Sequence, residues 1–190
     1  HVGEVTLLAA LTACGSGCAD TIGAGVDGFD EIIRRGEFDR VLLRPVGTFA
    51  QILGNDFRLR KVGRIVLGIA LFILAQRLVP GLHWTLLKLL VIPLAVVTNT
   101  LIFLGVLLLG ATLCFWTIET TELVNIPFDG GREMMNYPLT IYGGNLQRVF
   151  LFVVPLGFGV FLPACYILDR PYPFGLPAWL VFAGPVIALA

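Results

Sequence analysis

The residues of this chain that could carry out chemistry are few and widely spaced. Cys14 and Cys18 are one helical turn apart, but no second pair of cysteine or histidine residues lies near them, and both histidines are isolated. A structural zinc site needs about four such ligands at close spacing. We therefore expect no metal site, and we interpret the cysteines as small apolar side chains within helices.

Acidic residues near the ends of apolar runs are the remaining candidates for chemistry. Those that could cluster are Asp20, Asp27, Asp30, Glu119 and Glu122. The longest apolar runs contain no Asp, Glu or His, so we assign no catalytic residue. A membrane-embedded enzyme and a non-catalytic membrane subunit of another complex are kept as alternative functions.

Residues 23–28 (GAGVDG) match the G-x-G-x-x-G pattern of dinucleotide-binding sites. That site requires a preceding strand in a βαβ unit, whereas an apolar helical run precedes it here. We interpret these glycines, together with Gly15 and Gly17, as small residues that allow helices to pack closely. The chain contains no G-x-x-x-x-G-K-[ST] sequence, so an ATP-driven process would need the ATPase of another chain.

The composition indicates which elements must position these residues. Hydrophobic residues make up 57% of the 190 residues and charged residues only 14%, with a mean hydropathy of +0.88. Soluble domains are about a quarter charged, and one aqueous core of this size cannot bury so much apolar surface. The net charge of zero gives no indication of nucleic-acid binding. Composition therefore predicts an all-α, multi-spanning transmembrane helix bundle.

Two charge-free runs predict complete membrane spans. A hydrocarbon core of about 30 Å needs about 20 helical residues. Leu89–Ile118 and Val149–Leu168 contain no charged residue and meet that length. We expect Pro93 and Pro155 to kink these two helices locally.

Three further spans are predicted from shorter or charge-flanked runs. Val5–Ala19 is long enough if it extends toward Val26, and Val62–Val79 is long enough if Arg64 and Arg77 reach opposite surfaces. A fifth span begins at about Pro177. We expect residues to be missing at both ends of this chain.

The distribution of basic residues predicts the orientation. Residues 26–64 contain eight Lys or Arg residues and residues 116–148 contain two, whereas Arg77, Lys88 and Arg170 lie on the other side. The positive-inside rule therefore places the two long connections, residues 27–61 and 117–147, in the cytoplasm. Gly36 is then inside and Gly81 outside.

The first connection contains two short amphipathic segments. Phe29, Ile32 and Ile33 share one helical face, and Gly36 is expected to cap that helix. Residues 37–44 form a second amphipathic turn, which Pro45 ends. These segments are either a docking element for a cytoplasmic partner or an interfacial helix that rests on anionic lipid.

Three polar side chains, Thr98, Asn99 and Thr100, lie inside an apolar run. Polar groups at this depth are costly unless they face protein or a cavity. They line a substrate pathway or a subunit interface, or Asn99 forms an interhelical hydrogen bond, and we favour the hydrogen bond. Gly105 and Gly110 are further candidates for helix packing.

An ordered series of short motifs runs through nearly the whole chain. IRRGEFD at 33–39 is followed by LLRPV at 42–46 and by YPLTIYG at 137–143. VPL at 154–156, LPA at 162–164, DRP at 169–171 and GLP at 175–177 continue the series. The series resembles one subgroup of type-2 ABC exporter permeases, which includes viologen-exporter-like systems.

The resemblance implies one permease domain over residues 1–190, with about five of six transmembrane helices represented. It implies a bacterial inner-membrane exporter of amphiphilic or hydrophobic substrates, working by alternating access. Cytoplasmic ABC ATPase subunits would hold ATP and Mg, a second identical or related permease would pair with this one, and this chain would bind no cofactor. Residues 128–133 are more charged, and residues 159–161 less polar, than the family leads us to expect.

The resemblance also implies a coupling element between the first connection and the ATPase. Its residues would be Phe29, Ile33, Arg34, Arg35, Gly36, Asp39, Leu42, Arg44 and Pro45.

Overall fold

The computed structural model of the chain is a bundle of helices. It describes residues 2–26, 29–45, 47–48, 51–52, 59–79, 83–113 and 121–189, and within these residues there are helices and no strand. The predicted all-α fold class is confirmed. The described α-helices are α1 (Val2–Ile22), α2 (Phe29–Arg34), α3 (Phe38–Leu42), α4 (Leu59–Leu78), α5 (Leu86–Leu113), α6 (Thr121–Met135), α7 (Gly144–Arg148), α8 (Leu156–Gly159), α9 (Phe161–Ile167) and α10 (Leu180–Leu189).

Among the described helices, α1 and α5 are each long and apolar enough to cross a membrane. α5 continues as one helix of 28 residues through Pro93. α4 has 20 residues but carries basic side chains toward both ends, and α10 has 10 residues. The count of five spans therefore stays a prediction.

The run from Val149 to Leu168, predicted as one span with a local kink, is broken. Val149–Val153 continues α7 as a π-helix, and the axis then bends by 77° before Leu156. Pro155 explains the break, because proline lacks an N–H and disfavours helical dihedrals at the preceding Val154, which is extended. Gly144–Val153 and Leu156–Ile167 thus form a bent pair rather than a single straight helix.

The bend brings Arg148 close to the connection between α9 and α10. The Arg148 guanidinium carbon lies 6.0 Å from the centroid of the Phe174 ring. A straight crossing would place these two residues on opposite surfaces of the membrane. Arg148 therefore gives no indication of orientation. The prediction of orientation depends on residues 26–64, which contain eight of the 13 basic residues.

Helices α1 and α4 pack antiparallel with very little space between them. Gly3 approaches Val79 at one end, and Gly17 approaches Ile65 at the other. About one turn from Gly17, a Cβ on Gly68 would lie 2.6 Å from Cys14 Sγ and 2.7 Å from the Cys14 backbone nitrogen. Because backbone atoms on α1 occupy this space, only glycine fits here without a shift of the helices.

The predicted packing role is confirmed for Gly15, Gly17 and Gly23, whereas Gly28 lies outside the described residues. A Cβ on Gly15 would clash with the Asn99 side chain of α5. A Cβ on Gly23 would lie 2.8 Å from Leu107 Cδ1, also on α5. The G-x-G-x-x-G match thus follows a helix and packs on another helix, so the context required for a dinucleotide site is absent from residues 2–26.

Ion pairs hold α1 at both of its ends. Glu4 pairs with Arg170, and Asp20 pairs with Arg64 and Arg132. Glu4 and Asp20 are separated by about 24 Å along the helix axis at 1.5 Å per residue, and residues 5–19 between them carry no charge. This length fits a hydrocarbon core of about 30 Å with the two acids near its edges.

Lys88 lies at the same end of the bundle as Glu4. It is only 7% exposed, and its Nζ donates to the Ile167 carbonyl at 3.0 Å and to the Asp169 carboxylate. The last carbonyls of a helix lack intrahelical partners, so the ammonium caps α9 and complements its dipole. Lys88 thereby fixes the start of α5 to the end of the bent pair.

The outer face of α4 is apolar and uncovered by the rest of the chain. Its large side chains are between 43% and 61% exposed; they are Val66, Leu67, Ile69, Ile73, Leu74 and Leu78. Monomeric soluble proteins rarely expose apolar patches of this extent. Lipid is the natural cover for this face.

The close approach of α1 and α4 predicts a position-specific effect of one methyl group. Gly68→Ala should destabilise the protein by about 1–3 kcal/mol, the usual range for overpacking. Gly63→Ala on the same helix is the matched control, because no atom of another described helix lies within 4 Å of its added Cβ. Alanine favours helix over glycine by about 1 kcal/mol, so the control should be neutral or stabilising. Thermal unfolding in detergent measures both, and equal midpoints for the two variants would refute the packing account.

Candidate functional site

The coupling segment, defined here as residues 29–45, folds as α2 and α3 joined at Gly36. Gly36 has φ of +66°, a left-handed conformation that glycine adopts at little cost. The Gly36 N–H donates to the Ile33 carbonyl and the Glu37 N–H to the Ile32 carbonyl, both at 3.0 Å. These two bonds form the Schellman motif, which confirms Gly36 as the predicted cap of α2.

Among the apolar residues of the coupling segment Phe29 is buried and the others are half-buried or exposed, with Leu43 the most exposed at 84%. Phe29 is 4% exposed and packs edge-on against Phe38, with ring centroids 5.6 Å apart. Leu42 is 55% exposed, and Ile33 is half-buried. Phe29 therefore holds the segment together, whereas Leu42 and part of Ile33 are available to a partner.

The other residues predicted for coupling lie on the surface. They are Arg34, Arg35, Gly36, Asp39, Arg44 and Pro45, and all six are exposed. Arg35 pairs with Glu31 one turn earlier, and both side chains are more than half exposed. Exposed pairs of this kind contribute little to stability, so these charges are better suited to an external contact than to holding the fold.

A network of charges that sequence reasoning did not identify lies where both connections meet the bundle. Asp20, at the end of α1, accepts hydrogen bonds from Arg64 of α4 and Arg132 of α6. Arg132 Nη2 lies 3.0 and 3.2 Å from the two carboxylate oxygens of Asp20, and Arg132 Nη1 lies 3.1 Å from Asp129 Oδ1. We call Asp20, Arg64 and Arg132 the ionic joint.

Arg132 also packs against two aromatic rings. Its guanidinium carbon lies 4.6 Å from the Phe128 centroid and 5.7 Å from that of Phe103, and the two rings meet edge-on at 5.1 Å. Phe103 belongs to α5, so cation–π contacts connect α6 to the longest helix of the bundle. Arg132 thus touches α1 through Asp20 and α5 through Phe103.

Two of the three residues of the ionic joint are shielded from water, whereas the Arg64 side chain is 41% exposed. The side chains of Asp20 and Arg132 are 10% and 12% exposed. Burial lowers the pKa of Arg132, and the Asp20 carboxylate opposes this by raising it. Arginine remains protonated in proteins, so the cation at this position depends on Asp20 for neutralisation. Removal of one partner from such a pair leaves an uncompensated buried charge.

The sequence held only a partial signal for the ionic joint. Asp20 and Arg64 flank the first connection, and Arg132 lies in the stretch that is unexpectedly charged for the family. Asp20 is 44 positions from Arg64 and 112 positions from Arg132. Helical periodicity relates residues only a few turns apart, so no pattern in the sequence indicated that the three would meet.

Asn99 lies in the interior of the protein at 0% exposure. Its Nδ2 donates to the Leu11 carbonyl of α1 at 3.3 Å, so the structure contains the interhelical hydrogen bond that we favoured. The neighbouring Thr100 Oγ1 lies 3.1 Å from the Gly15 carbonyl of α1 and 2.7 Å from the Val96 carbonyl of its own helix, so its one hydroxyl hydrogen is shared between them. Within the described part of the chain, Asn99 Oδ1 is buried and accepts no hydrogen bond.

Glycines on two more helices approach residues 98 and 99 of α5. A Cβ on Gly159 of α8 would lie 2.8 Å from Asn99 Cα, and a Cβ on Gly184 of α10 would lie 2.9 Å from Thr98 Oγ1. Together with the glycine of α1 described above, they place three helices directly on these polar residues. Asn99 is therefore a helix-packing residue within one chain.

Gly105 and Gly110, the other predicted packing residues, have different surroundings. Gly110 is buried in the protein. At Gly105, no atom of the described helices lies within 4 Å of the position that a Cβ would occupy. Gly105 is thus open toward lipid or a second molecule.

Most of the acidic residues considered as candidates for chemistry are not among the described side chains. Asp27 and Glu119 lie outside the described residues, as do Gly81 and the side chains of Asp30 and Glu122. Among the described residues, no group of three or more His, Cys, Asp or Glu side chains is arranged to hold a metal ion. Asp20, the member of this set whose side chain is described, forms ion pairs with Arg64 and Arg132 at the end of α1.

Comparison with known protein families agrees with the ordered motifs and the helical architecture. The model of the family described as ABC-2 family transporter protein matches residues 6–190. Comparisons with curated proteins and with solved structures give no significant match. The family match covers α1 from residue 6 onward, all later described helices and both long connections. The chain therefore belongs to the ABC-2 transporter family and is a membrane permease subunit of an ABC transporter, a family whose ATPase is supplied by a partner chain.

Proposed function

We propose that this permease exports an amphiphilic or hydrophobic substrate, as part of a viologen-exporter-like transporter in the bacterial inner membrane. ATP binding closes the partner ATPase subunits, the coupling segment carries that movement to the helices, and the pathway opens outward by alternating access. The permease makes and breaks no covalent bond. ATP and Mg are held by the ATPase.

The exposed face of the coupling segment is the observation that carries this proposal. Leu42 is 55% exposed although it is apolar, and Arg34, Arg35 and Arg44 are exposed around it. Protein interfaces combine apolar anchors with polar and charged residues that set orientation. A groove with an apolar floor and acidic groups at its rim, on the ATPase, fits such a face.

A second permease, identical or related, pairs with this one in the proposed transporter. Asn99 is enclosed by α1 and α8 of its own chain, so it does not reach a partner permease. Gly105 remains open, and on the same side of α5 Val97 and Leu109 are 50% and 67% exposed. We propose that this face of α5 contacts the second permease, with Gly105 allowing a close approach.

The docking role predicts the effect of removing the apolar anchors. Ile33→Asp together with Leu42→Asp should abolish co-purification of the ATPase and transport-stimulated ATP hydrolysis, because a charged side chain cannot enter an apolar groove without a partner. Membrane insertion should be unchanged, since both residues lie outside the predicted spans. The measurement is the amount of ATPase recovered with the tagged permease.

The control is Ile141→Asp, which introduces one such charge at an apolar residue of the second connection that is 67% exposed. It should retain the ATPase. Wild-type recovery of the ATPase with the double variant, together with normal transport, would show that the segment only rests on lipid.

The orientation is tested by labelling single cysteines in a cysteine-free background. Gly36 is a poor position for this because of its positive φ, so the neighbouring Glu37, which is exposed, is replaced instead. With His83→Cys as the outer position, an impermeant maleimide should label position 83 and spare position 37 in intact cells. Labelling of position 37 in intact cells would reverse the proposed orientation.

A further inference from the structure

We propose that the ionic joint is the element that passes movement of the coupling segment to α5 and to the second connection, with Arg132 as its positioning residue. This inference rests on the proposed function, because it concerns movement that the ATPase would drive. It adds a specific route through the bundle, which neither the family match nor the coupling motif contains.

The first step of the route follows from where Asp20 and Arg64 lie in the chain. Asp20 precedes the first connection and Arg64 follows it, so the two residues mark the points where that connection leaves and re-enters the bundle. Their ion pair ties these two points to each other. A displacement of the coupling segment therefore reaches α1 and α4 together, through one carboxylate.

The second step passes through Arg132. Its Nη2 binds both oxygens of the same carboxylate, at 3.0 and 3.2 Å. Its Nη1 contacts Asp129 at 3.1 Å, so two nitrogens of one planar group are held by two different acids, which fixes the direction of the guanidinium as well as its distance. Movement of Asp20 therefore turns the guanidinium, and with it the α6 helix of the second connection.

The third step leads from the guanidinium to α5. Arg132 lies over Phe128 on its own helix and over Phe103 on α5, and these rings also contact each other. Phe103 is 0% exposed and belongs to the core of the bundle. Phe103 lies one turn from Asn99, where α1, α8 and α10 contact α5. A shift of Phe103 therefore acts on these three helices.

The joint contains the groups needed to exchange partners. Two guanidiniums share the Asp20 carboxylate, and Arg132 has a second acid, Asp129, at 3.1 Å. The Arg132 Nε is buried and forms no hydrogen bond among the described residues. Arg132 could thus leave Asp20 to Arg64 and keep Asp129, which avoids an unpaired charge on either acid.

The closing experiment uses hydrogen–deuterium exchange on the full-length permease, alone and with its ATPase. In the permease alone, Asp20→Asn should raise the exchange rate of amides in residues 121–135 by at least about fivefold, the lower end of typical coupling between sites. Glu4→Gln removes the same charge from the opposite end of α1, where Glu4 pairs with Arg170. This control should leave residues 121–135 at the wild-type rate.

In the complex, a non-hydrolysable ATP analogue should change exchange in residues 29–44 and in residues 121–135 of the wild type. With Asp20→Asn, the change in residues 29–44 should persist and the change in residues 121–135 should be lost. Arg132→Lys, which keeps the charge but cannot hold Asp20 and Asp129 with one planar group, should reduce the second change. Asp20→Glu, which keeps the carboxylate, should retain it, and Arg132→Lys is the second disruptive variant if Asp20→Asn folds poorly.

The outcomes separate the joint from the proposed function. If Asp20→Asn or Arg132→Lys responds like the wild type in residues 121–135, the proposed role of the ionic joint is contradicted. The proposal that the ATPase docks on the coupling segment would be unaffected. No response in residues 29–44 of the wild type would contradict the proposed function, and the result on the permease alone would still decide whether the joint holds α6.

Discussion

The bundle depends on pairing the charged side chains that lie at the edge of the lipid. An ionised side chain that loses its hydration must recover it from a partner, or it destabilises the folded state by several kcal/mol. The charges at the ends of α1 have such partners, Arg170 for Glu4 and both arginines of the ionic joint for Asp20. Lys88 likewise has Asp169 and a helix carbonyl. These contacts set the depth of α1 and α5, and so set where each connection leaves the membrane.

Between these charged ends, close approach rather than burial from water holds the helices. Lipid is as apolar as leucine, so transmembrane helices gain stability mainly from van der Waals contact and interhelical hydrogen bonds. Gly68 brings α4 onto α1, and Gly15 and Gly159 bring α1 and α8 onto Asn99. The described helices thus pack most tightly at the polar residues 98–100 of α5. The ionic joint lies next to these residues, on the side of the two connections.

The sequence was sufficient to predict the helices but not the contacts between residues that lie far apart in the chain. Charge-free runs located α1 and α5, and glycine with amphipathic spacing located the cap at Gly36. The 77° bend exceeded expectation, because a proline signals a disruption but its angle is set by the helices packed around it. The ionic joint was missed because Asp20 and Arg132 are 112 positions apart. Arg132 was noticed only as an unexpected charge, since the Asp20 that neutralises it belongs to a distant helix.

The central claim is that the coupling segment binds an ATPase, and one measurement addresses that contact directly. A photo-cross-linking amino acid in place of Leu42, which is 55% exposed, is activated in membranes of cells that express the full chain with its partners. Mass spectrometry then identifies what is attached at position 42. The account predicts a peptide from a chain that carries a P-loop. Attachment to lipid alone, with the ATPase present in the same membranes, would contradict it.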